Sequence, residues 1–169
     1  MRRHIWLGLT ALVLMLLQTT VFPFIKLLGA GPDVAMIFSV LLGFLGGAPV
    51  GVAGGLVSGL FLDLWQGRFL GLHMFLKAAG AYAGYLVGRQ VYRENATAAF
   101  SLVAGAVFVQ EVFIFLLLRA IGVPFPLFRA LYYVILPGLL YNLLLTPPVY
   151  LALYAATAKL PGEMMSGES

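Results

Sequence analysis

Three side chains near the middle of the chain could form one polar cluster inside an apolar region. Asp63 ends an uncharged run, a short turn follows, and His73 and Lys77 come next, four residues apart. On an antiparallel helical hairpin that turns at residues 66–69, Asp63 and His73 lie at about the same depth, with Lys77 on the His73 face. An acid at such a position is costly unless it is paired, hydrated or faces the bundle interior. The spacing therefore predicts a hydrogen-bonded link across the hairpin or a ligand or proton site, unless Lys77 extends to the membrane interface instead.

Three further polar residues, Gln18, Glu111 and Asn142, lie deep within apolar runs. A carboxyl group in lipid is a candidate for function, because a structure that needs only stability would avoid its cost. Glu111 could instead be protonated and hydrogen-bonded to Asn142 or Gln18, which would specify helix pairing. The sequence leaves both interpretations open.

Glycines recur at intervals of four in two neighbouring apolar segments. Small residues at this spacing form a flat helix face against which another backbone can pack closely, and such packing associates helices where lipid offers no hydrophobic driving force. We expect the two faces to join the segments in a tight antiparallel hairpin and to serve as a helix-packing or partner face. They consist of Gly51, Gly55 and Gly59 in the first segment and of Gly80, Gly84 and Gly88 in the second.

Motifs of soluble enzymes are missing from the sequence. It has no GxxxxGK[ST] phosphate loop, no HExxH zinc helix, no GxSxG nucleophile elbow and no cysteine,. Its two histidines are far apart in the chain and make a poor metal site. We therefore predict no catalytic residues, no metal, no cofactor and no enzymatic activity.

The composition indicates that these residues are positioned by helices in lipid. The chain has 169 residues, of which 62% are hydrophobic and 9% are charged. A soluble protein of this size could not cover its surface with so few charges. The net charge of +4 comes from basic residues scattered between apolar runs, a distribution typical of membrane-flanking positions rather than of nucleic-acid binding.

The apolar runs predict an all-α integral membrane bundle of six helices, forming one transmembrane domain over residues 1–169. The uncharged run 34–62 is divided at Gly46-Gly47-Ala48-Pro49, where proline disfavours a continuous helix,. One long tilted helix over this run is the alternative and would leave five spans. We expect the first span to be an uncleaved helix rather than a signal peptide, and the last, with Pro147-Pro148, to be kinked or broken. The expected spans are about 5–25, 34–45, 50–65, 70–87, 98–118 and 130–158.

The central motifs resemble those of a known family. The order is Pro32-Asp33, a glycine-rich apolar helix, Leu62-Asp63-Leu64, a glycine-containing turn, Gly71-Leu72-His73, and a glycine-spaced helix that ends at Gly88-Arg89. It resembles the bacterial rod shape-determining membrane protein family MreD, most clearly between Pro32 and Arg93. Asn142, which follows Leu136-Pro137, looks like the family's C-terminal element.

The resemblance implies a non-enzymatic scaffold in the bacterial inner membrane, a multi-pass component of the elongation machinery that directs lateral peptidoglycan synthesis. Its implied partners are the bitopic protein MreC, the MreB filament, and the polymerase RodA with its transpeptidase. The resemblance also implies a fold similar to the substrate-binding subunits of energy-coupling-factor vitamin transporters. The alternative function is therefore a substrate-binding or small-solute transport subunit, which would use Asp63, His73, Lys77 or Glu111.

Overall fold

The described part of the protein is helical throughout. The computed structural model has no strand among the residues it describes, so the all-α prediction is confirmed. The expected first span falls mainly outside the described residues, although residues 16–20 within it are helical. The structure describes residues 13, 16–21, 24, 31–67, 69–92, 95–124 and 126–157.

Five helices follow one another from residue 34. We name them α1 to α5, and α5 contains a π-helical turn at Leu131–Ile135. The helices α2, α4 and α5 are long and apolar enough to cross a membrane, by length and composition. Their bounds are Val34–Gly46 for α1, Ala48–Gln66 for α2, Leu72–Gly88 for α3, Ala96–Ala120 for α4 and Leu127–Thr157 for α5.

The uncharged run after Asp33 forms two helices, with Gly47 between them. Gly47 has φ 89°, a conformation that glycine adopts without steric cost, and its N–H donates to the Gly43 carbonyl at 3.2 Å,. Pro49 lies in the first turn of α2, where its missing N–H is not needed for the helix,. The run is therefore a helical hairpin and not one long tilted helix.

Helix α1 is the centre of the described fold. All of its residues are buried, and its apolar side chains form a core with Val103 and Val107 of α4 and Leu153 of α5. At about 1.5 Å per residue it spans roughly 20 Å, less than the hydrocarbon thickness of about 30 Å. The longer helices α2, α4 and α5 pack around it.

The glycines of α2 pack against both neighbouring helices. A Cβ atom added at Gly55 would lie 2.7 Å from the carbonyl oxygen of Lys77 in α3, and one added at Gly59 would overlap the backbone of Met74. A Cβ at Gly51 would instead overlap Gly43 in α1. The α2 row therefore allows two backbone approaches, one on each side.

The glycines of α3 face α1 and not α2. Added side chains at Gly84 and Gly88 would meet the backbone of α1 at Val40 and Phe44, and Gly80 faces the side chain of Met36. The two helices do pack as a close hairpin through Gly55 and Gly59, but the expectation that the α3 row also lies in that interface is wrong. The reason is that α1 packs against both helices and covers the glycine row of α3. All of these glycines except the half-buried Gly88 are buried inside the bundle.

Helix α5 continues through its prolines. The helix that begins at Leu136 runs to Thr157 with Pro147 and Pro148 inside it, so the possible break does not occur. The π-helical turn ends at Ile135, two residues before Pro137, and such local widening accommodates proline in membrane helices,. The Thr146 hydroxyl also donates to the Asn142 carbonyl at 2.7 Å.

Candidate functional site

Asp63 links the end of α2 to the beginning of α3. Its carboxylate accepts hydrogen bonds from the backbone N–H groups of Gly71, His73 and Met74 at 2.9–3.1 Å. It also accepts a bond from Nδ1 of His73 at 2.9 Å. The first N–H groups of a helix have no partner within that helix, and here a carboxylate from the preceding helix satisfies them. Asp63 thus caps α3 and fixes the turn of the hairpin.

Lys77 does not join Asp63 and His73. Its side chain is fully buried, and its ammonium group binds the carboxylate of Asp33 and donates to Oε1 of Gln110 at 2.5 Å. The expected three-residue cluster is therefore wrong. Asp63 already accepts four hydrogen bonds, whereas a buried ammonium needs its own carboxylate partner.

Asp33 is the carboxylate that pairs with Lys77, and it connects several helices. It caps α1 by accepting a bond from the N–H of Met36 at 3.0 Å. Its other oxygen accepts bonds from Lys77 in α3 and from Nε2 of Gln110 in α4, the latter at 2.7 Å. A buried ion pair stabilises only when further hydrogen bonds satisfy both charges, and Gln110 bonds to both members of this pair.

Gln18 and Asn142 extend the same group. Oδ1 of Asn142 in α5 accepts a bond from the backbone N–H of Asp33 at 2.8 Å. Gln18 accepts a bond from the N–H of Ala35 at 2.7 Å, and its amide nitrogen lies 3.4 Å from Oδ1 of Asp33. We call the group formed by Gln18, Asp33, Lys77, Gln110 and Asn142 the Asp33 network.

Glu111 does not pair with Gln18 or Asn142 as the sequence suggested. Those two residues bond to Asp33, Ala35 and the Gly138 carbonyl. The Glu111 side chain lines a cavity next to the Asp33 network. The difference arises because the N-terminus of α1 attracts both amide side chains to its own N–H groups.

Two members of the network, Asp33 and Gln110, were missed as site residues by the sequence reasoning. Asp33 directly precedes a long uncharged run, which is the position of a helix N-cap,. Gln110 lies in an apolar run, and a polar residue in such a run is a candidate for the bundle interior,.

Two cavities lie beside these polar groups. The larger, of about 400 Å³, is lined by residues that include Gln18, Asp33, His73 and Glu111. The smaller, of about 150 Å³, is lined by residues that include Asp63 and His73. Within the described ranges, no group of three or more His, Cys, Asp or Glu residues could hold a metal ion.

The fold and the site define a small helical membrane protein whose buried polar side chains join its helices to one another. The chain belongs to the rod shape-determining protein MreD family, whose model matches residues 2–157, nearly the whole chain. The resemblance seen in the sequence is thereby confirmed, and membership supports a role in rod shape determination. No curated protein and no solved structure matches the chain, so the similarity to energy-coupling-factor subunits stays a prediction.

Proposed function

We propose that this protein is a non-enzymatic, multi-pass scaffold of the cell-elongation machinery in the bacterial inner membrane. In this role it binds an MreC-like bitopic protein and, with it, associates with MreB and with RodA and its transpeptidase. It thereby supports lateral peptidoglycan synthesis. Membership of the MreD family supports a role in rod shape determination. The hydrogen bonds that the buried polar groups make between helices support the scaffold role.

The observation that carries the proposal is how those polar groups are bonded. Among the described residues, no buried side-chain nitrogen or oxygen lacks a hydrogen-bond partner. Both Asp63 and the Asp33 network use their bonds to connect helices to one another. Polar groups committed in this way stabilise one arrangement of helices, which suits a protein that offers a fixed surface to partners.

Partner contacts in this proposal use the outer apolar faces, because the glycine rows are covered inside the bundle. Helix α2 exposes a run of large apolar side chains, and α4 exposes a second. Either face can contact lipid or a partner's transmembrane helix. The exposed residues are Leu56, Val57, Leu60 and Leu64 on α2 and Phe108, Val109, Phe113 and Leu116 on α4.

The proposal is tested in a rod-shaped bacterium whose own MreD is depleted. We expect the tagged chain to restore cell width and to co-purify with the MreC-like protein and RodA in mild detergent. Gly55→Leu is expected to abolish both results, because its side chain would meet the α3 backbone. Gly105→Leu on α4 is the matched control, since nothing lies within 4 Å of a Cβ at that position. A wild-type chain that neither restores shape nor recovers either partner would overturn the proposal.

A small-solute transport subunit is the second candidate, and the cavity beside the Asp33 network is the observation that favours it. This candidate predicts that cells take up a solute only when the chain is present, and that Glu111→Gln abolishes uptake while partner recovery is unchanged. Uptake that does not depend on the chain would exclude it.

A further inference from the structure

The larger cavity has the size and the lining of a small-ligand site. Its volume of about 400 Å³ lies within the range of about 300–1,000 Å³ that is usual for ligand pockets. Its lining comes from the beginning of α1, the end of α2, the beginning of α3, the middle of α4 and the helical residues near Gln18. Trp65 and Gln66, which are exposed, form part of the rim.

Three hydrogen-bond donors beside this cavity are already used. The ammonium group of Lys77 and the amide nitrogens of Gln110 and Gln18 all point to the carboxylate of Asp33. Lys77 also balances the charge of Asp33. A ligand that offers only acceptors, such as a carboxylate or phosphate, would therefore find no free ammonium or amide group among these three.

Two acceptors on the cavity wall have capacity left. Nδ1 of His73 donates its proton to Asp63, so in the neutral imidazole Nε2 keeps a lone pair that can accept,. The carboxylate of Glu111 lies on the cavity wall, and its two oxygens can accept hydrogen bonds there,. Among the described residues that line the cavity, none is a lysine or an arginine that could pair with its negative charge. The wall is therefore suited to a ligand that brings donors and a positive charge.

The positions of the two acceptors suit one small group. Ile114 lies one helical turn after Glu111 and lines both cavities together with His73. Glu111 and His73 also line the larger cavity together, so one ligand inside it can reach both side chains. A primary ammonium group has three N–H donors, so a single group can donate to two acceptors in one cavity.

We propose that this cavity binds a primary ammonium group, which donates hydrogen bonds to the carboxylate of Glu111 and to Nε2 of His73. The ammonium belongs either to a free small amine or to the headgroup of an ethanolamine phospholipid. The bound cation keeps Glu111 ionised, and the Asp63–His73 bond holds the imidazole in the accepting tautomer. This proposal goes beyond the scaffold role and does not depend on it.

The first test uses Trp65 at the rim as a fluorescent reporter. The chain has only one other tryptophan, Trp6, so Trp6→Phe leaves a single signal. We expect ethanolamine to change the emission of the purified full chain in dodecyl maltoside in a saturable way. Choline is the matched probe, because it has the same charge but no N–H donor. We expect choline to bind about tenfold more weakly or not at all.

Variants at the cavity wall identify the site. Glu111→Gln is expected to weaken ethanolamine binding about tenfold or more, because a charge-assisted hydrogen bond is lost. Glu111→Asp, which keeps the charge, should retain saturable binding. Ile114→Phe keeps both acceptors and the single tryptophan but fills the cavity and should also abolish the response, which gives a second test if Glu111→Gln does not fold. Arg89→Gln, at the far end of α3, should leave binding unchanged.

The source of the ammonium group is identified in nanodiscs. If the headgroup of a phospholipid is the ligand, ethanolamine titrates the protein in phosphatidylcholine discs but not in discs that contain phosphatidylethanolamine. Native mass spectrometry would then find the retained phospholipid. If a free amine is the ligand, ethanolamine titrates the protein equally in both kinds of disc.

Three results would overturn the proposal. They are no saturable response to ethanolamine in any of these media with no retained ethanolamine lipid, equal binding of choline, or unchanged binding in both Glu111→Gln and Ile114→Phe. None of them affects the recovery of MreC-like protein or the restoration of cell shape. Failure of this site and failure of the scaffold role are therefore distinguishable.

Discussion

The helices α1, α2 and α3 are joined by close approaches of their backbones, whereas α4 and α5 are joined to the bundle by side chains. In the first three helices, side chains added at Gly43, Gly51, Gly59 or Gly84 would overlap a neighbouring backbone. Cβ atoms at Gly105 in α4 and Gly138 in α5 would meet nothing within 4 Å.

Polar contacts follow the same division. Asp63 makes a four-bond cap between α2 and α3. The contact of α4 with the first three helices includes Gln110, and that of α5 includes Asn142, alongside apolar packing. The comparison indicates that the first three helices form a unit with little tolerance for added volume, while α4 and α5 can repack around it.

The largest expected effect comes from adding volume inside the first three helices. Gly59→Leu would force α2 away from the backbone of Met74, and we expect no monodisperse folded protein from detergent extracts. Gly105→Leu is the control and should change the melting temperature little, because its side chain points to open space. Equal yields of folded protein from the two variants, measured by size-exclusion chromatography, would contradict the division.

Removing Lys77 is expected to have the next largest effect, because it leaves the carboxylate of Asp33 buried without its counter-charge. We expect Lys77→Met to lower the free energy of unfolding by about 3–5 kcal/mol. Adding Asp33→Asn should restore part of that loss, because both charges are then gone. The free energies are measured by unfolding in mixed micelles, and a double variant less stable than Lys77→Met would argue against the pair.

The helix cap at Asp63 gives a smaller effect within the first three helices. Asp63→Asn keeps the shape of the side chain but loses the charge and one acceptor oxygen. We expect a loss of about 1–3 kcal/mol in the free energy of unfolding. Hydrogen exchange should show faster exchange of the N–H groups of Gly71 and Met74, with α5 unchanged. Uniform acceleration along the whole chain would show that the cap is not local.

The smallest expected effect lies in α5. Thr146→Val removes the hydroxyl bond to the Asn142 carbonyl but keeps the volume of the side chain, and we expect a loss of about 0.5–1.5 kcal/mol. If α5 can repack, the variant should remain folded and co-purify with its partners. A loss as large as that of Lys77→Met, measured in the same micelles, would mean that α5 is as constrained as α1.

The sequence was sufficient for the features that depend on local patterns. Apolar runs and proline positions predict helices close to the observed α1 to α5, and glycine spacing predicts close helix packing. The same patterns could not say which neighbour each glycine faces, because that depends on α1 lying between its neighbours. The sequence pattern of a glycine row is the same whether the row packs against α2 or against α1.

The polar contacts were less predictable for a related reason. Asp63 and His73 are close in sequence across a short turn, so their proximity follows from the hairpin. Lys77 lies on the same helix face as His73. Its expected depth in the bundle did not show whether Asp63 or Asp33 is its partner. Asp33, Gln110 and Asn142 are brought together only by the complete arrangement of helices, and no short-range signal specifies that arrangement.

The enclosure of α1 has a consequence for the order of events during synthesis. Its N-terminal end at Asp33 is made early, but its partners emerge from the ribosome much later. Lys77, Gln110 and Asn142 follow Asp33 by 44, 77 and 109 residues. Until α5 is inserted, the backbone N–H of Asp33 lacks the acceptor that it has in the finished protein. The Asp33 network is therefore incomplete in the nascent chain while the later helices are added. Translation of α5 supplies its last member, Asn142.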